Sequence, residues 1–74
     1  MTEKLIDLCG LKCPLPVLRT RKALLSSAPG DILVVQCTDP LAAIDIPTLL
    51  GQTGDLIEAT RHDEGITTFR IRKR

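Results

Sequence analysis

Residues 4–16 read Lys4-Leu5-Ile6-Asp7-Leu8-Cys9-Gly10-Leu11-Lys12-Cys13-Pro14-Leu15-Pro16, and this stretch decides the fold. Lys4 to Leu8 has the composition of a short strand, and Gly10 marks the turn that ends it. The paired prolines then mark a helix start. Proline is favoured in a first helical turn, because the N–H it lacks has no helical partner there and its φ is already set. A strand feeding a helix within a few residues calls for a second strand to receive the crossover.

Ile32 to Cys37, ILVVQC, supplies it: a β-branched, nearly unbroken apolar run suited to a central strand. The helix between is expected over Pro14 to Ser27, stopped by Pro29-Gly30, with Val17, Leu18, Leu24, Leu25 and Ala28 on its apolar side. Thr38-Asp39-Pro40 makes the next turn, with Thr38 or Asp39 as N-cap. A second helix is expected over Leu41 to Leu50, broken or kinked near Asp45 to Pro47, with Gly51 and Gly54 at its end. Leu56 to Arg61 and Ile66 to Arg72 are strands joined by a hairpin turn at His62 to Gly65, with Phe69 and Ile71 facing the core. The order is βαβαββ. It predicts a two-layer α/β sandwich: one mixed four-stranded sheet, first two strands parallel, both helices on one face.

The sequence has 74 residues and reads as one domain throughout. It is 43% hydrophobic, and Phe69 is its only aromatic. That leaves an aliphatic core and no platform for stacking bases. The net charge of +1 gives no general attraction to nucleic acid or anionic membrane, so neither is an expected partner. Arg70, Arg72, Lys73 and Arg74 nevertheless crowd the C-terminal end. No apolar run is long enough to span a bilayer, no signal-peptide pattern opens the chain, and the cysteine count of 3 is odd. The cytoplasm, where thiols stay reduced, is the expected compartment.

Cys13, just ahead of a helix, is the residue with chemistry to offer. Unpaired amides and the helix dipole favour an anion there, so a lowered thiol pKa is expected. Lys12 adds a cation, while Pro14 and Pro16 leave the amides of Leu15 and Val17 free to point at the sulfur. Cys9 reads as a strand-end cysteine packed inward, or as a redox partner of Cys13; Cys37 reads as core. The spacing of the cysteines and His62 does not suit a metal. Arg21 is expected to lay its stem over apolar atoms or to be a docking cation near Cys13 that attracts the donor or steadies sulfur anions, and Lys22 to be an exposed charge or a docking contact. Asp39 is read as a cap, and Asp45 as a partner for amides freed by Pro47.

The stretch Asp7 to Pro16 resembles the signature of the TusA/SirA-like sulfur-carrier family. The likeness continues through Arg21-Lys22, Pro29-Gly30-Asp31, Thr38-Asp39-Pro40, Asp45-Ile46-Pro47 and Ile71-Arg72-Lys73, in order and at nearly the same spacing over about the whole chain. That family's fold is similar to the C-terminal domain of translation initiation factor three. The resemblance implies a sulfurtransferase in which Cys13 accepts sulfur as a persulfide, without metal or organic cofactor. It implies a cysteine desulfurase or rhodanese-type donor and a DsrE-type or other carrier as acceptor, and it suggests that Asp39 and Asp45 help to shape the docking face. Similar carriers serve tRNA thiolation, molybdenum-cofactor assembly, sulfur oxidation and selenium handling. The sequence departs from the family pattern at Cys9, and from the family's tRNA-thiolation branch at Leu49 and Leu50, where an aromatic is common. A regulatory or RNA-binding module using the basic tail, or a thiol-redox protein using Cys9 and Cys13, are the alternatives.

Overall fold

The computed structural model describes residues 3–74. Its elements are β1 (Glu3–Leu8), α1 (Leu15–Leu25), β2 (Ile32–Cys37), α2 (Ala42–Thr53), β3 (Leu56–Asp63) and β4 (Ile66–Arg72). The sheet has four strands in the order β1-β2-β4-β3. β1 runs parallel to β2, while β4 is antiparallel to both β2 and β3. This is the expected βαβαββ sandwich.

Alternation along the central strands sets which face is covered. Leu33, Val35 and Cys37 of β2 and Thr67, Phe69 and Ile71 of β4 point under the helices and are buried. Leu24 of α1 and Ala42, Ile46, Leu49 and Leu50 of α2 close over them, and Leu8 completes the cluster. Each Leu, Ile, Val or Phe side chain among them, when fully buried, contributes roughly 1.5–3 kcal/mol of hydrophobic stabilisation. The other sheet face is open, with Leu5 and Val34 beside a group of charged side chains. There Glu58, beside a β-bulge in β3, pairs with Arg72 at 2.6 Å and Arg70 at 3.5 Å, and Glu3 pairs with Arg70 at 3.2 Å.

Helix α1 departs from the expected face. Pro16, Thr20 and Leu24, spaced four residues apart, are the buried positions. Leu18 is 52% and Leu25 75% exposed, and Ala28 lies beyond the helix. The apolar count misled because Thr20 can be buried at no polar cost: its hydroxyl donates to the Pro16 carbonyl at 2.8 Å. The helix also ends earlier than Pro29-Gly30. The hydroxyls of Ser26 and Ser27 both donate to the Ala23 carbonyl, competing with the helical pattern.

Helix α2 is not broken at Pro47; it continues to Thr53. Proline deletes one backbone bond there, while buried Ile46, Leu49 and Leu50 on either side keep the helix seated on the sheet. Gly51 lies inside the helix, and Gly54, at φ +82°, ends it by donating to the Leu50 carbonyl. β3 runs two residues further than expected. The hairpin turn is only Glu64-Gly65, both at positive φ, with Asp63 facing Ile66 across it.

Candidate functional site

The Cys13 loop is built by backbone geometry and two aspartates. β1 ends at Leu8, and the Leu11 N–H turns back to the Leu8 carbonyl. Gly10, at φ +84°, makes this turn, and its N–H donates to Thr38 Oγ1 at 2.9 Å. Thr38 follows directly on β2, so the loop after β1 is tied to the loop after its parallel neighbour. The Lys12 carbonyl accepts the Leu15 N–H, and Pro14 caps α1. Cys13 therefore stands one residue ahead of the cap, and it is exposed.

Asp39 and Asp45 converge on this cysteine. Asp39 Oδ2 accepts the Cys13 N–H at 2.6 Å, and its Oδ1 accepts the Leu41 N–H at 3.0 Å. The Asp39 carbonyl takes the N–H groups of Ala42 and Ala43, so this one residue starts α2 and holds the cysteine loop. The Cys13 thiol donates to Asp45 Oδ2 at 3.3 Å, from the first turn of α2. Asp45 thus turns to the thiol rather than to amides freed by Pro47.

This arrangement reverses the expected electrostatics. The Asp45 hydrogen bond, then partial desolvation, then the negative charges of Asp45 and Asp39 all push the Cys13 thiol above its ordinary value. The thiolate support expected from Lys12, Pro14, Leu15, Pro16 and Val17 does not prevail. The Leu15 amide is spent on the Lys12 carbonyl, Pro16 is buried in the helix packing, and the charges that bear on the sulfur are those of the Asp45 and Asp39 carboxylates.

Two cavities meet at Cys13. One lies over the loops and is lined by Gly10, Lys12, Cys13, Thr38, Asp39 and Leu41. The other runs between the helices, lined by Cys13, Val17, Leu18, Arg21, Asp45 and Thr48. Arg21 therefore shares a groove with the thiol. Lys22 lines neither cavity. Leu18 and Leu41, both more than half exposed, give each cavity an apolar wall.

Cys9 is exposed, not packed inward, because β1 ends one residue before it. Its N–H donates to Asp7 Oδ1 at 3.0 Å, and a hydrogen bond to Asp7 pushes its thiol up. Cys37 is fully buried, as read from its strand. The basic tail lies elsewhere. Arg72 pairs in register with Ile32, at the opposite end of β2 from the Cys13 loop, roughly 16 Å away at ~3.3 Å per residue. Among the described residues no helix is long and apolar enough to cross a membrane.

The model of the sulfurtransferase TusA family matches residues 4–73. The chain belongs to this family. Relatives of the TusA family extend over nearly all of it: a putative sulfur carrier protein, YrkI, from Bacillus subtilis is 42% identical, covering 97% of this chain and 96% of its own. A putative sulfur carrier protein from Archaeoglobus fulgidus is 39% identical over 93% and 91%. The sulfur carrier protein TusA of Allochromatium vinosum is 37% identical over 92% and 90%. A crystal structure of a SirA-like protein from Desulfitobacterium hafniense superposes with a TM-score of 0.81 at 26% identity, covering 93% of this chain and 95% of that one. This TusA-family chain is a sulfur carrier, and its chemistry is sulfur transfer.

Proposed function

We propose that Cys13 is the sulfur-carrying residue, loaded as a persulfide by one protein and discharged to another. The observation that carries this reading is an exposed thiol at the meeting of two cavities, held at a fixed place by Asp39 and Asp45. In loading, Cys13 Sγ attacks the terminal sulfur of a donor persulfide. A new S–S bond forms, the donor's S–S bond breaks, and the donor sulfur departs with the proton Cys13 gives up. No electrons are gained or lost overall, so neither metal nor organic cofactor enters. A cysteine desulfurase or rhodanese-type protein is the donor and a DsrE-type or similar protein the acceptor, in the reducing cytoplasm. The chain works as a relay consumed and regenerated at each step, more substrate than turnover enzyme.

The test is loading with a cysteine desulfurase and cysteine, read by intact mass. Wild type gains one sulfur atom; Cys13→Ser gains none while keeping its circular dichroism. Loading that persists in Cys13→Ser overturns the assignment. The placement of Arg72, Lys73 and Arg74 at the far end from Cys13 speaks against a nucleic-acid role for this site.

A further inference from the structure

The Cys13–Asp45 contact joins two elements, since the thiol belongs to the loop before α1 and the carboxylate to α2. A carboxylate accepting from a thiol favours the protonated sulfur and opposes any negative charge placed there. The charged and titratable groups around the sulfur are Lys12 in its own loop, Arg21 from α1, Asp39 from the turn after β2, and Asp45 from α2. Among the described residues neither Asp39 nor Asp45 forms an ion pair.

We infer that Asp45 biases this carrier toward discharge: it stabilises Cys13 as the unloaded thiol and destabilises the anionic persulfide of the loaded form. The inference rests on the carrier reading above. A persulfide is more acidic than its parent thiol, so the loaded group is the more anionic of the two. Its outer sulfur sits one S–S bond, about 2 Å, beyond Sγ, still beside the same carboxylates. In discharge an acceptor thiol attacks that outer sulfur. The acceptor's new S–S bond forms, the Cys13 S–S bond breaks, and Sγ leaves with the acceptor's proton. That proton restores the hydrogen bond to Asp45. The product therefore regains a contact that the anionic loaded form cannot make. The same contact accounts for the raised Cys13 thiol, and it quiets the unloaded carrier toward adventitious electrophiles.

Asp45→Asn and Asp45→Glu test this in the full chain. Iodoacetamide labelling from pH 6 to 10 is read by peptide mass spectrometry, because trypsin cleaves after Lys12 and separates Cys9 from Cys13. In Asp45→Asn the Cys13 midpoint falls, and its labelling at pH 7 rises about three- to four-fold for each unit of the fall. Asp45→Glu keeps the midpoint raised. Cys9, paired with Asp7, keeps its own profile and reports an intact fold. Equilibration with glutathione and glutathione persulfide then leaves more Asp45→Asn than wild type loaded. A Cys13 midpoint unchanged or raised in Asp45→Asn, or equal loading of both proteins, overturns the inference. Labelling needs no sulfur donor, so a wild type that never loads defeats the carrier reading alone, and the midpoint still judges Asp45.

Discussion

Asp39 holds the backbone N–H of Cys13 at 2.6 Å across 26 residues of sequence. With its other oxygen on Leu41, this side chain couples the shape of the cysteine loop to the start of α2. Removing it frees both at once. Asp39→Ala is expected to cost roughly 1–2 kcal/mol, the range of a lost helix cap. Urea unfolding measures the cost, and desulfurase loading of Cys13 slows in the same variant. A variant as stable as wild type that loads at the wild-type rate would show that Asp39 is dispensable.

Leu24 and Leu25 are neighbours in α1 with opposite fates, 1% and 75% exposed. Leu24→Ala opens a cavity in the core and is expected to cost about 2–5 kcal/mol. Leu25→Ala changes stability by no more than about 0.5 kcal/mol. Chemical denaturation of the two single variants checks both figures. Equal costs would mean the helix is rotated from the face described.

Cys37 is fully buried, and desolvation pushes its thiol above the ordinary 9.0. The sign follows from linkage. With a folded pKa above the unfolded one, its stabilising contribution is complete below about pH 9 and fades as pH rises through the folded value. Thermal unfolding between pH 7 and pH 11 should therefore show an alkaline loss of Tm that is smaller in Cys37→Ala relative to that variant's own neutral value. Iodoacetamide should reach Cys37 only in denaturant, while Cys9 and Cys13 label in the native protein.

Arg72 and Lys73 sit at the end of the sheet away from the thiol, and Arg72 is engaged with Glu58. Charge reversal of the pair Arg72→Glu and Lys73→Glu should leave the first-order rate at which iodoacetamide labels Cys13 within experimental error. The Arg72–Glu58 pair on the exposed face contributes at most about 1 kcal/mol, whereas Lys73 stands 3.8 Å from the buried Asp55 carboxylate, so circular dichroism first establishes that the variant is folded. A changed Cys13 labelling rate would reveal coupling along β2.

The sheet and its order were legible because their signals are local. ILVVQC can be read as a buried strand from composition alone, and the alternation around Phe69 and Ile71 assigns the inner face of β4 correctly. Helix α1 was legible in place but not in rotation. Its buried line includes Pro16 and Thr20, which hydropathy ranks low, and omits Leu18 and Leu25, which it ranks high. Pro47 suggested a break because propensity counts the lost hydrogen bond and not the core contacts of Ile46, Leu49 and Leu50.

By itself the sequence determined the βαβαββ order, the place of Cys13 before a helix, and membership of a sulfur-carrier family. The order and the place of Cys13 follow from nearest-neighbour chemistry, with proline at helix starts, glycine in turns and apolar runs in strands, whereas the family was carried by the resemblance of whole motifs. Only the tertiary structure decided the charge around the sulfur. Asp45 is 32 residues from Cys13 in sequence and 3.3 Å from its thiol in space, so a local reading that weighed the helix end and Lys12 reached the opposite sign. Electrostatic effects depend on distance through space, and the packing of α2 beside α1 is what sets that distance.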